Sequence, residues 1–453
     1  MIVDNLTKLN ESNDSAGRVT GMARLSPFLK QATPVRVSYG KGVYLYDHDD
    51  RRYLDFTSGI GVTSTGHCHP RVVEAAQAQV GKLIHGQYTT VMHDPLLELC
   101  ERLGDVLPEG IDSVSFTNSG SEAVESAIRL ARHATGRPTI IAFTGGFHGR
   151  TMGASALTSS ATKFRAGAGP VMPNVAFAPF PYAFRYGWSV PEAVQFALRE
   201  LDYLLVTSAP AVDVAAIIVE PVLGEGGYVP TPPEFLAGLR ERCDRHGILL
   251  VMDEVQTGFG RTGKFWGHQY SDAATPDIIV TAKGLASGFP LSAIAAPEEL
   301  MAKAWPGSQG GTYGGNAVAC AAALATLDVV RDERLVENSA EQGARLLEGL
   351  RKVAADNPVI ADVRGLGLMI GNEFCTPDGA PDPVTATRAH AAAAERGLLL
   401  LTCGPYGNVV RMIPPLVVDA AQIDEGLQMW SDAVTTATHQ PVEPVAGPPG
   451  GSG

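Results

Sequence analysis

The sequence predicts an α/β protein whose core is a mostly parallel sheet covered by helices on both faces. Three observations carry this. Short Val/Ile/Leu-rich runs end abruptly in single polar residues: Ala215–Val219 at Glu220, Ile248–Met252 at Asp253 and Ile278–Ala282 at Lys283. Such runs, bounded by turn signals, have the pattern of strands buried on both faces. From Val114-Ser115-Phe116 to about residue 330, strand, loop and helix patterns alternate, as a helix-covered parallel sheet requires. Finally, 453 residues exceed one compact core and imply at least two domains.

Taken in order, residues 1–20 read as a flexible or loosely docked arm. Val43–Phe56 alternates as strands do, around a charged turn at Asp47–Arg51. Pro70–Leu103 has helical spacing, interrupted near His85–Asp94. A strand at Val114–Phe116 leads through Thr117-Asn118-Ser119-Gly120-Ser121 into a helix over Glu122–Arg132, and Thr139–Phe143 is another strand. Helices are expected over Ala317–Val330, Glu333–Ala355 and Pro383–Arg396, and strands over Val363–Phe374 and Val409–Val418. The expected division is 1–75 (arm and part of a small domain), 76–330 (large domain), 331–438 (C-terminal part of the small α+β domain) and 439–453. The last stretch is Pro/Gly-rich and expected to be disordered.

Composition narrows the function. With 45% hydrophobic and 18% charged residues the chain is a well-buried globule. A formal charge of −13 argues against nucleic acid or an anionic membrane as partner, since both need basic patches. Six cysteines are scattered without CxxC pairs or metal-ligand spacing, so no metal site is expected and reduced structural thiols are. Met1–Gly21 has no apolar core of signal-peptide length, and no run is long enough to span a bilayer. A cytoplasmic protein is expected.

In open α/β sheets, ligands bind beyond the carboxyl ends of the strands, where Asp253 and Lys283 would stand together. An Asp able to hold a pyridinium nitrogen and a Lys able to condense with an aldehyde are what pyridoxal phosphate (PLP) requires. The carboxylate favours the protonated ring, which then acts as an electron sink. A desolvated lysine is partly neutral, hence nucleophilic. Asn118–Ser121 at a helix start is a phosphate seat, although taken alone an ordinary Ser N-cap with Glu122 in the first turn explains it equally. In Phe147-His148-Gly149-Arg150-Thr151 an aromatic can stack on the ring and an arginine can grip a carboxylate. Arg411 is either an edge-strand charge or a second carboxylate fork. The loop Glu220–Gly227 can bring Glu225 near such an arginine.

Over about residues 25–435 the chain resembles the class III (subgroup II, fold type I) PLP-dependent aminotransferases. The matching stretches are Ser58–Val62 with Gly66–Pro70, Asn118–Ala123, Phe147–Thr151, Glu220–Gly227, Asp253–Gly263, Ala282–Gly284, Gly311–Asn316 and Arg411–Pro415. Within the family it is most similar to the 4-aminobutyrate (GABA) aminotransferases. The resemblance implies that Lys283 attaches to the cofactor and Asp253 pairs its ring nitrogen. Phe147 would stack on the ring beside His148, Gln256 would sit near the phenolic oxygen, and Ser119, Gly120 and Ser121 would hold the phosphate. Thr312 would reach that phosphate from a neighbouring subunit, which implies a homodimer or a dimer of dimers.

For the substrates, an amino donor and a keto acid acceptor, the resemblance implies a site of Ile60, Arg150, Glu220, Glu225 and Arg411. Arg150 would hold the distal carboxylate of an ω-amino acid. Arg411 would hold the α-carboxylate of glutamate or 2-oxoglutarate, with Glu225 covering it when idle. Ile60 stands where ornithine-type relatives tend to carry a tyrosine, whereas the Phe147–Thr151 block is shared with the acetylornithine and ornithine branches. The His85–His93 segment, with Gly86-Gln87-Tyr88-Thr89-Thr90, departs from the GABA-type pattern. The implied activity is ping-pong transamination of an ω-amino acid, chiefly GABA, with 2-oxoglutarate. An acetylornithine/ornithine-type activity remains open, as does an epimerase or aminomutase built on the same Lys/Asp pair.

Overall fold

The computed structural model describes residues 25–26 and 28–439; the arm expected over 1–20 lies outside them, as do residues 440–453 of the expected tail. Position 439 itself is not tail: the last helix runs Ala420–His439.

At the centre is a seven-stranded sheet in the spatial order Ser113–Thr117, Ser292–Ala296, Ile278–Thr281, Leu249–Asp253, Val214–Val219, Thr139–Phe143, Val175–Ala178. Four of its pairings are parallel. Ser292–Ala296 runs against both neighbours, which leaves every other strand pointing the same way. Alternate residues feed opposite cores. Ile141, Phe143, Ile217, Val219, Leu250 and Met252 pack under the helices Val190–Val206 and Pro233–His246. Ile140, Ala142, Ala216, Ile218 and Val251 pack under the helix Gly120–Thr135. Because both faces are covered, the central strands Val214–Val219, Leu249–Asp253 and Ile278–Thr281 are apolar almost throughout, whereas the edge strand Ser113–Thr117 alternates.

A second, four-stranded sheet holds Ile360–Leu366, Met369–Phe374, Val409–Met412 and Leu401–Cys403. A third joins Val37–Lys41, Tyr44–Asp47 and Arg52–Asp55 to Leu398–Leu399 from the far end of the chain. Leu54 and Phe56 share one core with Ile370, Met412 and Trp430. The alanine-rich helix Ala317–Asp332 lies between this core and the large sheet's: Ala322, Val329 and Val330 face one, Ala319, Cys320, Ala323 and Leu327 the other. Small side chains on both faces let the two cores approach each other closely.

Two sequence expectations are corrected. Val363–Phe374 is not one strand but a hairpin, turning at Gly367 (φ +51°); glycines at 365 and 371 in its arms keep the turning one from standing out. Val409–Val418 stops at Met412, because Pro414 and Pro415 follow and proline cannot donate to a ladder. Arg411 therefore sits in an interior strand, paired on both sides, and not on an edge.

Candidate active site

Thr117, Phe143, Val219, Asp253 and Thr281 end their strands on one rim, and the segments that follow carry the site. Asp253 is the last residue of its strand, beside Val280 of the next. Its Oδ1 accepts from the Val255 amide at 3.1 Å and its Oδ2 bonds to His148 Nδ1 at 2.7 Å. Both side chains are buried. Burial alone would lower the His148 pKa, but the hydrogen bond and charge of Asp253, with Glu220 behind, raise it overall. Asp253 is thus oriented by two donors from within the protein.

Lys283 stands just beyond Thr281 with φ +42°, a left-handed backbone that costs a non-glycine residue on the order of 1–3 kcal/mol and tends to persist at functional sites. Burial lowers its pKa to about 8, against the opposing pull of Glu225. Glu220 is buried as well. Its two oxygens accept the amides of Phe147 at 2.8 Å and Gly224 at 2.9 Å, so it ties the aromatic loop to the glycine-rich loop. Burial pushes its pKa up to about 7.

The helix Gly120–Thr135 opens with a capping box. Ser119 Oγ accepts from the Glu122 amide at 3.3 Å, and Glu122 Oε2 takes the amides of Ser119 at 3.1 Å and Asn118 at 2.7 Å. Ser119 is therefore engaged in the cap. The amides of Gly120 and Ser121, in the first helical turn, have no partner within the helix and can face an anion. Ser121 Oγ accepts the Arg150 amide at 2.9 Å and keeps its own proton to donate. Gly149 (φ +132°) makes this approach possible: a Cβ there would lie 2.2 Å from Ser121 Oγ.

Arg411 and Glu225 meet as an ion pair, Nη1 to Oε1 at 2.5 Å. Arg411 is only 3% exposed and its guanidinium lies 5.6 Å from the centre of the Tyr228 ring. Burial works against its charge, but Glu225 more than compensates and the pKa is raised; burial likewise opposes ionisation of Glu225, and Arg411 holds its carboxyl below the usual range.

The other expected residues are more loosely placed. Arg150 is exposed, its guanidinium 4.8 Å from the centre of the Phe164 ring, and Phe147 meets the same ring edge-on at 4.9 Å. Ile60 is half exposed, in a turn with φ +70°. Next to it, Gly61 lies against Gln256: a Cβ there would be 3.7 Å from Gln256 Cγ. Thr312 is exposed, in a segment fixed by His93 to the Gly315 carbonyl at 3.0 Å and by Asn316 to the Ile84 carbonyl at 3.0 Å. Sequence reasoning overlooked Phe164 and Tyr228. Each is an aromatic close to a loop of interest, but only the fold sets it against an arginine.

The residues fit PLP. Gln256 Oε1 is buried with no partner among the described residues, so this amide has hydrogen-bonding capacity left for a ligand. Asp253, Lys283 and the Gly120–Ser121 amides surround the same rim. Sheet and site together define a fold type I PLP-dependent enzyme.

Comparison with known proteins agrees. The description "Aminotransferase class-III" matches residues 28–434, and the chain belongs to that family. It is 43% identical over 399 residues to a 5-aminovalerate aminotransferase of Pseudomonas putida, covering 88% of this chain and 92% of the relative. It is 40% identical over 411 residues to a 4-aminobutyrate aminotransferase of Escherichia coli, covering 90% and 95%. Among solved structures, a thermostable (S)-enantioselective omega-transaminase from Thermomicrobium roseum superposes with a TM-score of 0.85 at 30% identity, covering 96% of this chain and 99% of that one.

Proposed function

We propose that this enzyme moves the amino group of an ω-amino acid, chiefly 4-aminobutyrate, to 2-oxoglutarate by a ping-pong cycle, giving the semialdehyde and glutamate. It would act in the cytoplasm as a homodimer or dimer of dimers in which Thr312 serves the neighbouring site. The observation that carries the reading is the buried Arg411–Glu225 pair at 2.5 Å. A buried arginine with a single movable carboxylate partner can exchange that partner for a substrate α-carboxylate, and an unpaired buried charge is costly. One site then serves two substrates that differ by one carboxylate. The names of the two curated relatives, both aminotransferases of ω-amino acids, support the same reading.

When bound, PLP supplies an aldehyde that accepts the amino group and a ring that withdraws electrons from the substrate carbon. The chain's residues do the rest. Asp253, held by His148 and the Val255 amide, would keep the ring nitrogen protonated. Gly120 and Ser121 would hold the phosphate through amides and a hydroxyl. Lys283 Nζ, whose pKa burial lowers to about 8, would take the proton from the substrate carbon that bears the amine. Arg150 holds the distal carboxylate while Glu225 keeps Arg411 neutralised. When glutamate or 2-oxoglutarate binds, Glu225 gives way and Arg411 takes the α-carboxylate.

The test is a half-reaction: PLP-loaded enzyme mixed with GABA alone, with conversion of the cofactor to its pyridoxamine form followed by absorbance. Conversion that 2-oxoglutarate reverses is expected. Conversion with N-acetylornithine or ornithine but not with GABA or 5-aminovalerate would move the enzyme to the other branch of the family. Racemisation of an amino acid without any keto acid would favour an isomerase.

A further inference from the structure

Arg364 and Arg411 stand in one row of the second sheet: Arg364 is opposite Gly371, and Gly371 is opposite Arg411. Directly opposed residues of antiparallel strands project from the same face. The loop Gly224–Tyr228 lies on that face, over Gly371. A Cβ added to Gly371 would stand 3.1 Å from Tyr228 Cβ and 3.3 Å from the Gly227 carbonyl oxygen. A side chain at 371 would press the loop outward.

The loop is gripped on both sides of this glycine. Arg411 Nη1 holds Glu225 Oε1 at 2.5 Å, and Arg364 Nη2 donates to the Gly227 carbonyl at 2.6 Å. The Glu225 carbonyl also accepts the Gly404 amide at 2.9 Å. Arg364 is itself locked. Its Nη1 lies 2.6 Å from both Asp362 Oδ2 and Glu373 Oε2, and its Nη2 donates to the Tyr182 hydroxyl at 2.6 Å, which in turn donates to Glu373. Two carboxylates and the Tyr182 hydroxyl fix the guanidinium plane and take three of its five hydrogens; a fourth goes to the Gly227 carbonyl, and Nε has no partner among the described residues. In a site of low dielectric such bonds are strong and directional.

We propose that Arg364, with Gly371 beneath the loop, is a positioning residue for the Glu225–Arg411 gate. It holds the backbone of Glu225 in place, so that the carboxylate swings as a side chain and returns over Arg411 whenever no α-carboxylate is bound. This rests on the two-substrate reading above. Releasing the Gly227 carbonyl weakens the competition of Glu225 for Arg411, which favours substrates carrying an α-carboxylate over those without one. General loss of packing would harm both alike.

The experiment compares Arg364→Met and Gly371→Ala with the parent PLP-loaded enzyme, using Glu225→Ala as the reference. Single-turnover half-reactions with GABA and with L-glutamate give the ratio of their second-order rate constants. Calorimetry gives the affinity for glutarate, a dicarboxylate that cannot react. In Arg364→Met the GABA-to-glutamate ratio is expected to fall roughly tenfold, the size of coupling typical of residues that touch neither ligand. Glutarate binding tightens, and Arg364→Lys restores part of both effects. Equal losses in the two half-reactions, or weaker glutarate binding, overturn the proposal. If Arg364→Met does not fold, Gly371→Ala decides by the same criteria. A Glu225→Ala enzyme with an unchanged ratio removes the two-substrate reading and this proposal with it. A ratio shifted by Glu225→Ala but by neither other variant removes only the positioning role.

Discussion

Glu225→Ala tests the two-substrate site most directly. The substitution leaves the Arg411 guanidinium, 3% exposed, without its counter-ion. Breaking a buried pair from one side costs about 3–5 kcal/mol. The Glu225 side chain is 16% exposed, so water can enter the vacated space, and the low end, about 3 kcal/mol, applies. An arriving α-carboxylate recovers that energy, whereas GABA held at Arg150 does not. At about 1.36 kcal/mol per tenfold, the ratio of second-order rate constants, GABA over glutamate, falls by roughly a hundredfold. The assay is the pair of single-turnover half-reactions, with glutarate added during thermal melts as a second readout. Glutarate should raise the melting temperature of the variant more than that of the parent. Equal loss in the two half-reactions would refute the exchange of carboxylates at Arg411.

Four further outcomes are expected. Lys283→Ala abolishes turnover while the far-UV spectrum and melting temperature stay near those of the parent, because the substitution truncates a side chain lowered in pKa by burial; turnover at the parental rate would contradict its role. The rate of PLP uptake by the apoenzyme rises with pH as the Lys283 amine loses its proton and levels off above about 8, well below the ordinary lysine value of about 10.4; a midpoint near the ordinary value would count against a desolvated nucleophile. Asp253→Asn removes the charge that keeps the ring protonated and slows both half-reactions by on the order of 10²–10⁴-fold, measured by stopped-flow absorbance, and a loss below tenfold would argue against the pairing. Gly149→Ala forces a Cβ to within 2.2 Å of Ser121 Oγ and is expected to weaken PLP binding, read as the cofactor concentration for half-maximal reconstitution; unchanged affinity would separate Ser121 from the phosphate.

The core of the fold was legible because a strand buried on both faces needs no alternation: Val214–Val219 and Ile278–Thr281 show as unbroken apolar runs with a chemical residue just past each end. The hairpin at Gly367 was hidden for another reason: glycines recur at 365, 367 and 371 without a proline or Asn-Gly signal, so the one that turns the chain does not stand out. Arg411 illustrates the limit for single residues. An arginine inside a β-pattern suggests an edge, and its interior position depends on Leu401–Cys403 and Met369–Phe374 closing over it. Glu220 was marked by the end of its run, but its attachment to the Phe147 and Gly224 amides brings together segments distant in sequence. The bond from His148 to Asp253 likewise spans 105 positions. Chemistry-bearing types were visible; their pairings needed the topology.

The parallel pairing of Leu54 with Leu398 has a consequence for how the protein is made. On the ribosome the strand Arg52–Asp55 emerges early, yet its partner follows only after nearly the whole chain, a wait of roughly 20–70 s at synthesis rates of about 5–20 residues per second. Throughout that interval Leu54 and Phe56, both fully buried in the finished fold, have no complete core to enter. The large sheet, whose strands lie within residues 113–296, is complete long before. The large sheet can therefore close while Leu54 and Phe56 still wait for Leu398 and the rest of their core, and for that interval their apolar surface stays open to water.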